Sequence, residues 1–216
     1  MVVGYQTSPI SGYQMKTPTF KNVSTANYPI DSFTVQGATD GVTTIQVLDT
    51  AGQMAGIYYW YNEFIDGTTT YPAGWFDASG AVPAEIELAP GEAVFFNTNE
   101  EGVTIRSAGE VPGEISHPVS GYMMLGNGSP VTIDVDDMAV EGATDGVTTI
   151  QVLDSAGQMA GIYYWYNEFI DGTTTYPAGW FDASGAESAN FSLDPGEAVF
   201  FNSNESGVTV TIPSAL

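Results

Sequence analysis

Gly37 through Ala81 recurs as Gly142 through Ala186, 105 positions later, with one difference, Thr50 against Ser155. Whatever the first half of the chain folds into, the second half must fold into as well. The register continues without a gap through Pro90-Gly91-Glu92-Ala93-Val94-Phe95-Phe96-Asn97 and Pro195-Gly196-Glu197-Ala198-Val199-Phe200-Phe201-Asn202, then on to Gly102-Val103-Thr104 and Gly207-Val208-Thr209. Upstream, Ser11-Gly12-Tyr13-Gln14-Met15 matches Ser120-Gly121-Tyr122-Met123-Met124 at an offset of 109, so the second copy is four residues shorter between these blocks. A period near 105 is a domain length and not a solenoid repeat. Surface positions tolerate drift, so identity this close reflects either recent duplication or two copies that present one surface to one kind of partner.

Each copy reads as strands. Thr43-Thr44-Ile45-Gln46-Val47-Leu48 is rich in β-branched residues and is followed by the turn signal Asp49-Thr50-Ala51-Gly52. Ala55-Gly56-Ile57-Tyr58-Tyr59-Trp60-Tyr61 is an aromatic strand, and Ala84-Glu85-Ile86-Glu87-Leu88 alternates apolar with charged residues. Pro90-Gly91 turns the chain into Ala93-Val94-Phe95-Phe96, and Val103-Thr104-Ile105 closes the copy. No segment carries a 3.6-residue period. The expectation is an all-β protein of two tandem β-sandwich or jelly-roll modules, 1–107 and 108–216, each of about 105 residues.

The charge narrows the function. Twenty-six acidic residues face three basic ones, Lys16, Lys21 and Arg106, for a formal net charge of −23. Nucleic acid and anionic membranes are held by Lys and Arg on phosphates, so this surface repels both. No apolar run is long enough to span a bilayer, and no membrane insertion is expected. A chain with 12% aromatics is too rich in core-forming side chains for disorder. The scarcity of Lys and Arg leaves trypsin-like proteases almost nothing to cut, which suits a protein exposed outside a cell. Cysteine is absent, which removes disulfides, thiolate nucleophiles and Cys-ligated zinc. The start, Met1-Val2-Val3-Gly4-Tyr5-Gln6, has neither a basic n-region nor a long apolar h-region. Either this is the mature terminus of an exported protein or the protein is intracellular; the expectation is the first, with an extracellular or cell-surface address.

Catalysis finds little support. The one histidine, His117, corresponds to Ser8 in the first copy, so no repeated activity depends on it. Glu63 with Asp66, or Glu168 with Asp171, would be a carboxylate pair for glycoside hydrolysis, but Tyr61-Asn62-Glu63-Phe64-Ile65-Asp66-Gly67 reads as a polar loop between strands. No enzyme is expected.

Carbohydrate binding is the stronger chemistry. Tyr58, Trp60, Tyr71 and Trp75, repeated as Tyr163, Trp165, Tyr176 and Trp180, belong to an aromatic band. Along a strand Tyr59 and Tyr61 face one way while Tyr58 and Trp60 face the other, so one set packs the core and the other is free for a second use. Flat rings of the free set, with Trp75 from the long loop, would stack sugar rings, with Asn62, Glu63 and Asp66 accepting hydroxyl hydrogen bonds. Burial of both sets between sheets, or in a contact between subunits, uses the same residues.

Asp134, Asp136 and Asp137, with Glu141 and Asp145 following, are dense in the oxygen ligands that calcium takes; no cofactor is expected, calcium being the one candidate these residues raise. Their spacing is not that of an EF-hand, and Asp40-Gly41 and Asp145-Gly146 are also ordinary turn dipeptides. Four Asn-X-Ser sites, at Asn22, Asn127, Asn190 and Asn204, fit the glycosylation pattern.

The junction between the copies suggests how chains would join. Val208-Thr209-Val210-Thr211-Ile212-Pro213 resembles the end of copy one, and Val2-Val3-Gly4-Tyr5-Gln6 takes the place of Val111-Pro112-Gly113-Glu114-Ile115. A C-terminal strand carrying Val208, Val210 and Ile212 would then pair with Val2, Val3 and Tyr5 of the next molecule. Such a heterologous contact makes a self-partnered filament. The leading expectation is therefore a non-catalytic extracellular structural protein, a subunit of a surface layer or head-to-tail filament. The alternative is a carbohydrate-binding or adhesive surface module.

Val2-Val3-Gly4-Tyr5, Ser11-Gly12-Tyr13, Ala73-Gly74-Trp75 and Pro90-Gly91-Glu92-Ala93-Val94-Phe95-Phe96 together resemble secreted tandem modules of unknown function from bacterial cell envelopes. The resemblance spans both copies; it implies a surface address and no activity.

Overall fold

A computed structural model of the chain describes residues 3–20, 27–49, 51–154 and 156–213. They form an all-β protein of several antiparallel sheets, the helical structure among them being two 3-10 turns, Ile30–Ser32 and Val135–Asp137. The first half contributes β1 (Val3–Pro9), β2 (Gly12–Lys16), β3 (Tyr28–Pro29), β4 (Thr34–Gln36), β5 (Thr44–Leu48) and β6 (Met54–Tyr61). It continues with β7 (Phe64–Asp66), β8 (Thr69–Tyr71), β9 (Gly74–Phe76), β10 (Glu87–Leu88), β11 (Val94–Thr98) and β12 (Thr104–Glu110). The second half contributes β13 (Ile115–Gly126), β14 (Ile133–Asp134), β15 (Ala139–Glu141), β16 (Thr149–Leu153) and β17 (Met159–Tyr166). It ends with β18 (Phe169–Asp171), β19 (Thr174–Tyr176), β20 (Gly179–Phe181), β21 (Ser192–Leu193) and β22 (Ala198–Ile212).

The order β2-β11-β5-β6-β9 recurs in the second half as β13-β22-β16-β17-β20. A second sheet, β1-β12-β4, recurs as the start of β13, the end of β22, and β15. In the second half β13 and β22 run unbroken from one set of partners to the other, with an irregularity between Val119 and Gly121. In the first half the same corner is a break between Pro9 and Gly12. Gly12 and Gly121, at φ 62° and 68°, turn the chain there through backbone angles that a Cβ disfavours.

The expected strands form, with two differences. Ala84–Leu88 pairs as a ladder only at Glu87–Leu88, because the Ala84 N–H is taken by the Trp75 carbonyl and the Ile86 carbonyl by the Ile30 N–H. The segment read as a polar loop after Tyr61 is a hairpin, β7 with β8.

Two large cores fill the halves, each drawing on both sets of strands. In the first, Val35 and Ile105 meet Ile45, Trp60, Trp75, Val94 and Phe96. Trp60 and Trp75 are cross-strand partners on β6 and β9, with ring centroids 5.3 Å apart in an edge-to-face arrangement, and Trp75 then meets Phe96 at 5.8 Å. Each indole N–H is satisfied: Trp75 Nε1 donates to the Phe33 carbonyl at 2.9 Å and Trp60 Nε1 to Asn62 Oδ1 at 3.1 Å. Trp165 and Trp180 repeat the pair at 5.3 Å. Such pairs add to area burial because each ring's positive edge meets the other's negative face.

A third cluster joins the halves and is built from equivalent residues of each. Met15 meets Met124 and Ala93, with Leu48, Leu153, Phe95, Phe200 and Ala198 packed around them. The Phe95 and Phe200 rings cross edge-to-face at 5.5 Å. The backbone contacts are reciprocal as well: Gly126 N–H donates to the Gly91 carbonyl at 2.8 Å, and Thr17 N–H, its counterpart, to the Gly196 carbonyl at 3.0 Å. Side chains cap the same two loops, Gln6 Nε2 donating to the Pro195 carbonyl at 2.7 Å and His117 Nε2 contacting the Pro90 carbonyl. This is the geometry of an isologous dimer contained in one chain.

Two clefts flank this contact, of about 410 and 150 Å³. The wider is lined by Tyr13, Lys16, Tyr163 and Glu197. Burial pulls the Lys16 ammonium below its ordinary pKa, opposed by the negative charges of Glu197 and Asp194.

Replacing either buried indole tests the core. Trp75→Ala or Trp180→Ala is expected to destabilise the chain by roughly 3–5 kcal/mol, measured by urea denaturation, and a loss below about 1 kcal/mol would place that ring outside the core.

Candidate functional site

The aromatic band divides by burial. Trp60, Trp75, Trp165 and Trp180 are buried, as the reading that packs both aromatic sets inside expected of them, so their rings cannot stack a sugar as the carbohydrate alternative required. Tyr58 and Tyr163 are half-buried and pack onto the cores, Tyr163 lying 5.3 Å from the Phe191 ring. Of the eight aromatics proposed to bind sugar, Tyr71 and Tyr176 are the well exposed ones, and the hairpins place them beside residues the pattern reading passed over.

The hairpin leaves the sheet at Tyr61 and returns at Gly74, which are paired across β6 and β9. Within it Phe64 pairs with Tyr71, Ile65 with Thr70, and Asp66 with Thr69. Gly67 has φ 61°, and no non-glycine among the described residues has positive φ, so Gly67-Thr68 forms the II′ type of two-residue turn. An isolated two-stranded hairpin is marginal in water. This one is secured by a ring pair and by its root. The Phe64 and Tyr71 rings stack at 4.4 Å and 4°. At the root, Asn62 accepts from Trp60 Nε1 and donates from Nδ2 to the Ala38 carbonyl at 2.9 Å and to Asp40 Oδ1 at 2.7 Å. Its backbone N–H donates to the same Asp40 oxygen at 2.8 Å. Asn62 is thus a structural staple with its amide oxygen engaged, and not the free sugar acceptor the sequence suggested.

The second copy repeats this throughout. Phe169 and Tyr176 stack at 4.5 Å and 4°, and Asn167 makes the corresponding bonds to Trp165, Ala143 and Asp145. Phe64 and Phe169 are 53% and 54% exposed, Ile65 and Ile170 are 66% and 67%, and Tyr71 and Tyr176 are both 44%. Alternation puts Phe64 and Asp66 on one face, where Tyr71 and Thr69 sit opposite them, and Ile65 on the other face. Each hairpin therefore presents an aromatic stack with a carboxylate and a hydroxyl two residue pairs along on the same face. The Asp66-Gly67 dipeptide was the signal for it.

Of the two terminal strands, the N-terminal one presents the expected edge and the C-terminal one does not. Val208, Val210 and Ile212 are fully buried in the second core. Their strand, the end of β22, is paired on one side by β13 and on the other by β15, so its backbone has no free edge to offer another chain. Val3 pairs with Glu110 in β1, which lies at the edge of its sheet, and Tyr5 on that strand is exposed beneath the Arg106 guanidinium, 5.6 Å from its ring centre. Val2 lies outside the described residues.

The calcium ligands do not converge. Asp134, Asp136 and Asp137 follow one another around a 3-10 turn, and among the described residues no three His, Asp or Glu side chains gather to hold a metal ion. Asp134 Oδ1 instead accepts from Ser192 Oγ at 2.5 Å. The Asp136 carboxyl is pushed above the ordinary aspartate value by burial, and further by the charges of Asp134 and Asp137. Of the glycosylation sites, Asn127 is buried, its Nδ2 donating to the Val131 and Leu193 carbonyls at 2.7 and 2.8 Å. Asn190 and Asn204 are exposed, and Asn22 lies outside the described residues.

Comparison with protein-family models, with curated proteins and with solved structures finds no match. The fold and the site define an all-β protein with two equivalent exposed aromatic hairpins.

Beyond each hairpin, Asp77 and Asp182 organise a turn. Ser79 Oγ donates to Asp77 Oδ1 at 2.6 Å, backbone N–H groups add to it, and the carboxyl is held below its ordinary range; Ser184 does the same for Asp182. A depressed carboxylate contributes stability above its unfolded pKa that is lost as pH falls through the folded value. Asp136 has the opposite sign and gains as pH falls. Carbon-13 NMR titration should place the Asp77 and Asp182 midpoints below, and Asp136 above, the ordinary aspartate value. Ser79→Ala should raise Asp77 and leave Asp182 unmoved; coincident midpoints would contradict the hydrogen bonding.

Proposed function

We propose that this chain is a non-catalytic carbohydrate-binding module acting outside the cell, with one binding surface on each of the hairpins β7–β8 and β18–β19. The observation that carries the reading is the pair of exposed aromatic stacks held in the same geometry in both halves. Exposed apolar rings gathered on one element mark an interaction site. A sugar has an apolar C–H face that packs on a ring and hydroxyls that need acceptors and donors. Tyr71 and Phe64 provide the first, and Asp66 and Thr69, on the same face, provide the second. The strong acidity argues against polyanions, and the near-absence of cleavable Lys and Arg suits an extracellular address.

No histidine or cysteine is shared by the two halves, which supports a binding role over a hydrolytic one. His117 occurs in one half only and is occupied with the Pro90 carbonyl. Assembly through the C-terminal strand would require breaking its pairing with β13 or β15, which weighs against the terminal-pairing filament.

A glycan array tests the reading. The wild-type chain should be retained on a restricted set of glycans, and Tyr71→Ala combined with Tyr176→Ala should remove the signal while leaving the circular dichroism spectrum unchanged. Retention equal to wild type in that variant, or no glycan bound by the wild-type chain, would overturn it.

A further inference from the structure

We infer that the two hairpins of one chain engage a single ligand, a repeating polysaccharide that carries free amino groups. The inference rests on the carbohydrate reading above and names the partner of that site.

The first observation is equivalence. The exposed stacks agree in residue identity, ring geometry and exposure between the halves. Nearby surface has drifted. Directly after the shared block, exposed Val82, Pro83 and Glu85 are replaced by Glu187, Ser188 and Asn190. Two identical heads suit a ligand that is itself a repeat.

The second observation is the connection between the heads. The halves are not joined by a flexible tether: residues 111–114 carry β12 directly into β13, with Val111 and Pro112 buried. The Met15, Met124, Phe95 and Phe200 cluster and the reciprocal bonds at Gly91 and Gly196 fix one half against the other. A preset separation lets the second head bind without a further ordering cost, which is the condition for a large avidity gain on a polymer of matching repeat.

The third observation is charge. The chain carries −23 overall, and no Lys or Arg occurs from Ser107 to Leu216. On each hairpin a carboxylate, Asp66 or Asp171, shares a face with the aromatic stack, two residue pairs along. An aromatic ring beside a carboxylate is the pairing that receives an ammonium group, through the ring's negative face and direct charge attraction. Among polysaccharides this favours amine-bearing chains over neutral ones and disfavours anionic ones.

The test compares four probes on the intact chain by biolayer interferometry: polyglucosamine, its fully N-acetylated form, a neutral glucan, and a glucosamine oligomer too short to reach both heads. Polyglucosamine is expected to bind roughly 10²-fold or more tighter than the short oligomer. Phe64→Ser with Tyr71→Ser, or Phe169→Ser with Tyr176→Ser, should each reduce polymer affinity to that of the oligomer, and the four-site variant should abolish binding. Equal affinity for oligomer and polymer would overturn two-headed engagement while leaving the carbohydrate reading intact. Equal binding of the acetylated polymer or the glucan would overturn the amine requirement. Polymer binding that survives the four-site variant would reduce the effect to attraction by net charge and overturn the inference. Failure of every saccharide would remove the carbohydrate reading itself.

Discussion

The Trp60–Trp75 pair closes the root from which everything functional in the first half projects. Trp60 ends one arm of the sheet and Trp75 begins the returning arm, paired directly across the strands. Both are buried, both indole N–H groups are satisfied, and one of the acceptors is Asn62, the residue at which the hairpin departs. The hairpin's orientation is therefore set by a core contact and not by its own few backbone bonds. A large aromatic pair is well suited to this task, since it combines extensive apolar burial with a preferred ring angle. The hairpin itself contributes little to the core, which leaves its surface open to chemistry.

The same logic repeats at larger scale. Each half is finished as a core, yet each also contributes the same residues to a contact with the other, and the contact is reciprocal down to its backbone bonds. An isologous surface used within one chain fixes both halves at once. Asymmetry enters only at details: Lys16 stands where the second copy has Leu125, and the cleft beside it is the wider of the two. The hairpins lie outside this asymmetry and keep their equivalence.

Much of this was readable from sequence patterns, and the limits are physical. The duplication and the β class followed from local facts, namely the repeat, the β-branched runs and the turn residues. The hairpin was half legible: Asp66-Gly67 announces a turn, but the strands on either side are three residues each and mix apolar with polar side chains on both faces, so no alternation stands out. Asn62 looked like a free polar residue because its partners, Ala38 and Asp40, lie more than twenty positions away. The run Val208 to Ile212 was correctly read as a strand, but its fate depended on β13 and β15, each remote in sequence, and both of its edges are taken. The density of Asp134, Asp136 and Asp137 is likewise a property of the chain; convergence on an ion is a property of the fold, and here it does not occur among the described residues.

The sequence by itself determined that one stretch of strand-forming sequence is written twice and that the chain is strongly acidic. Periodicity, charge and residue inventory are local or additive, so they survive without coordinates. Only the tertiary structure decided which aromatics are core and which are surface. Neighbouring residues on a strand point to opposite faces, and what covers each face is supplied by strands far along the chain.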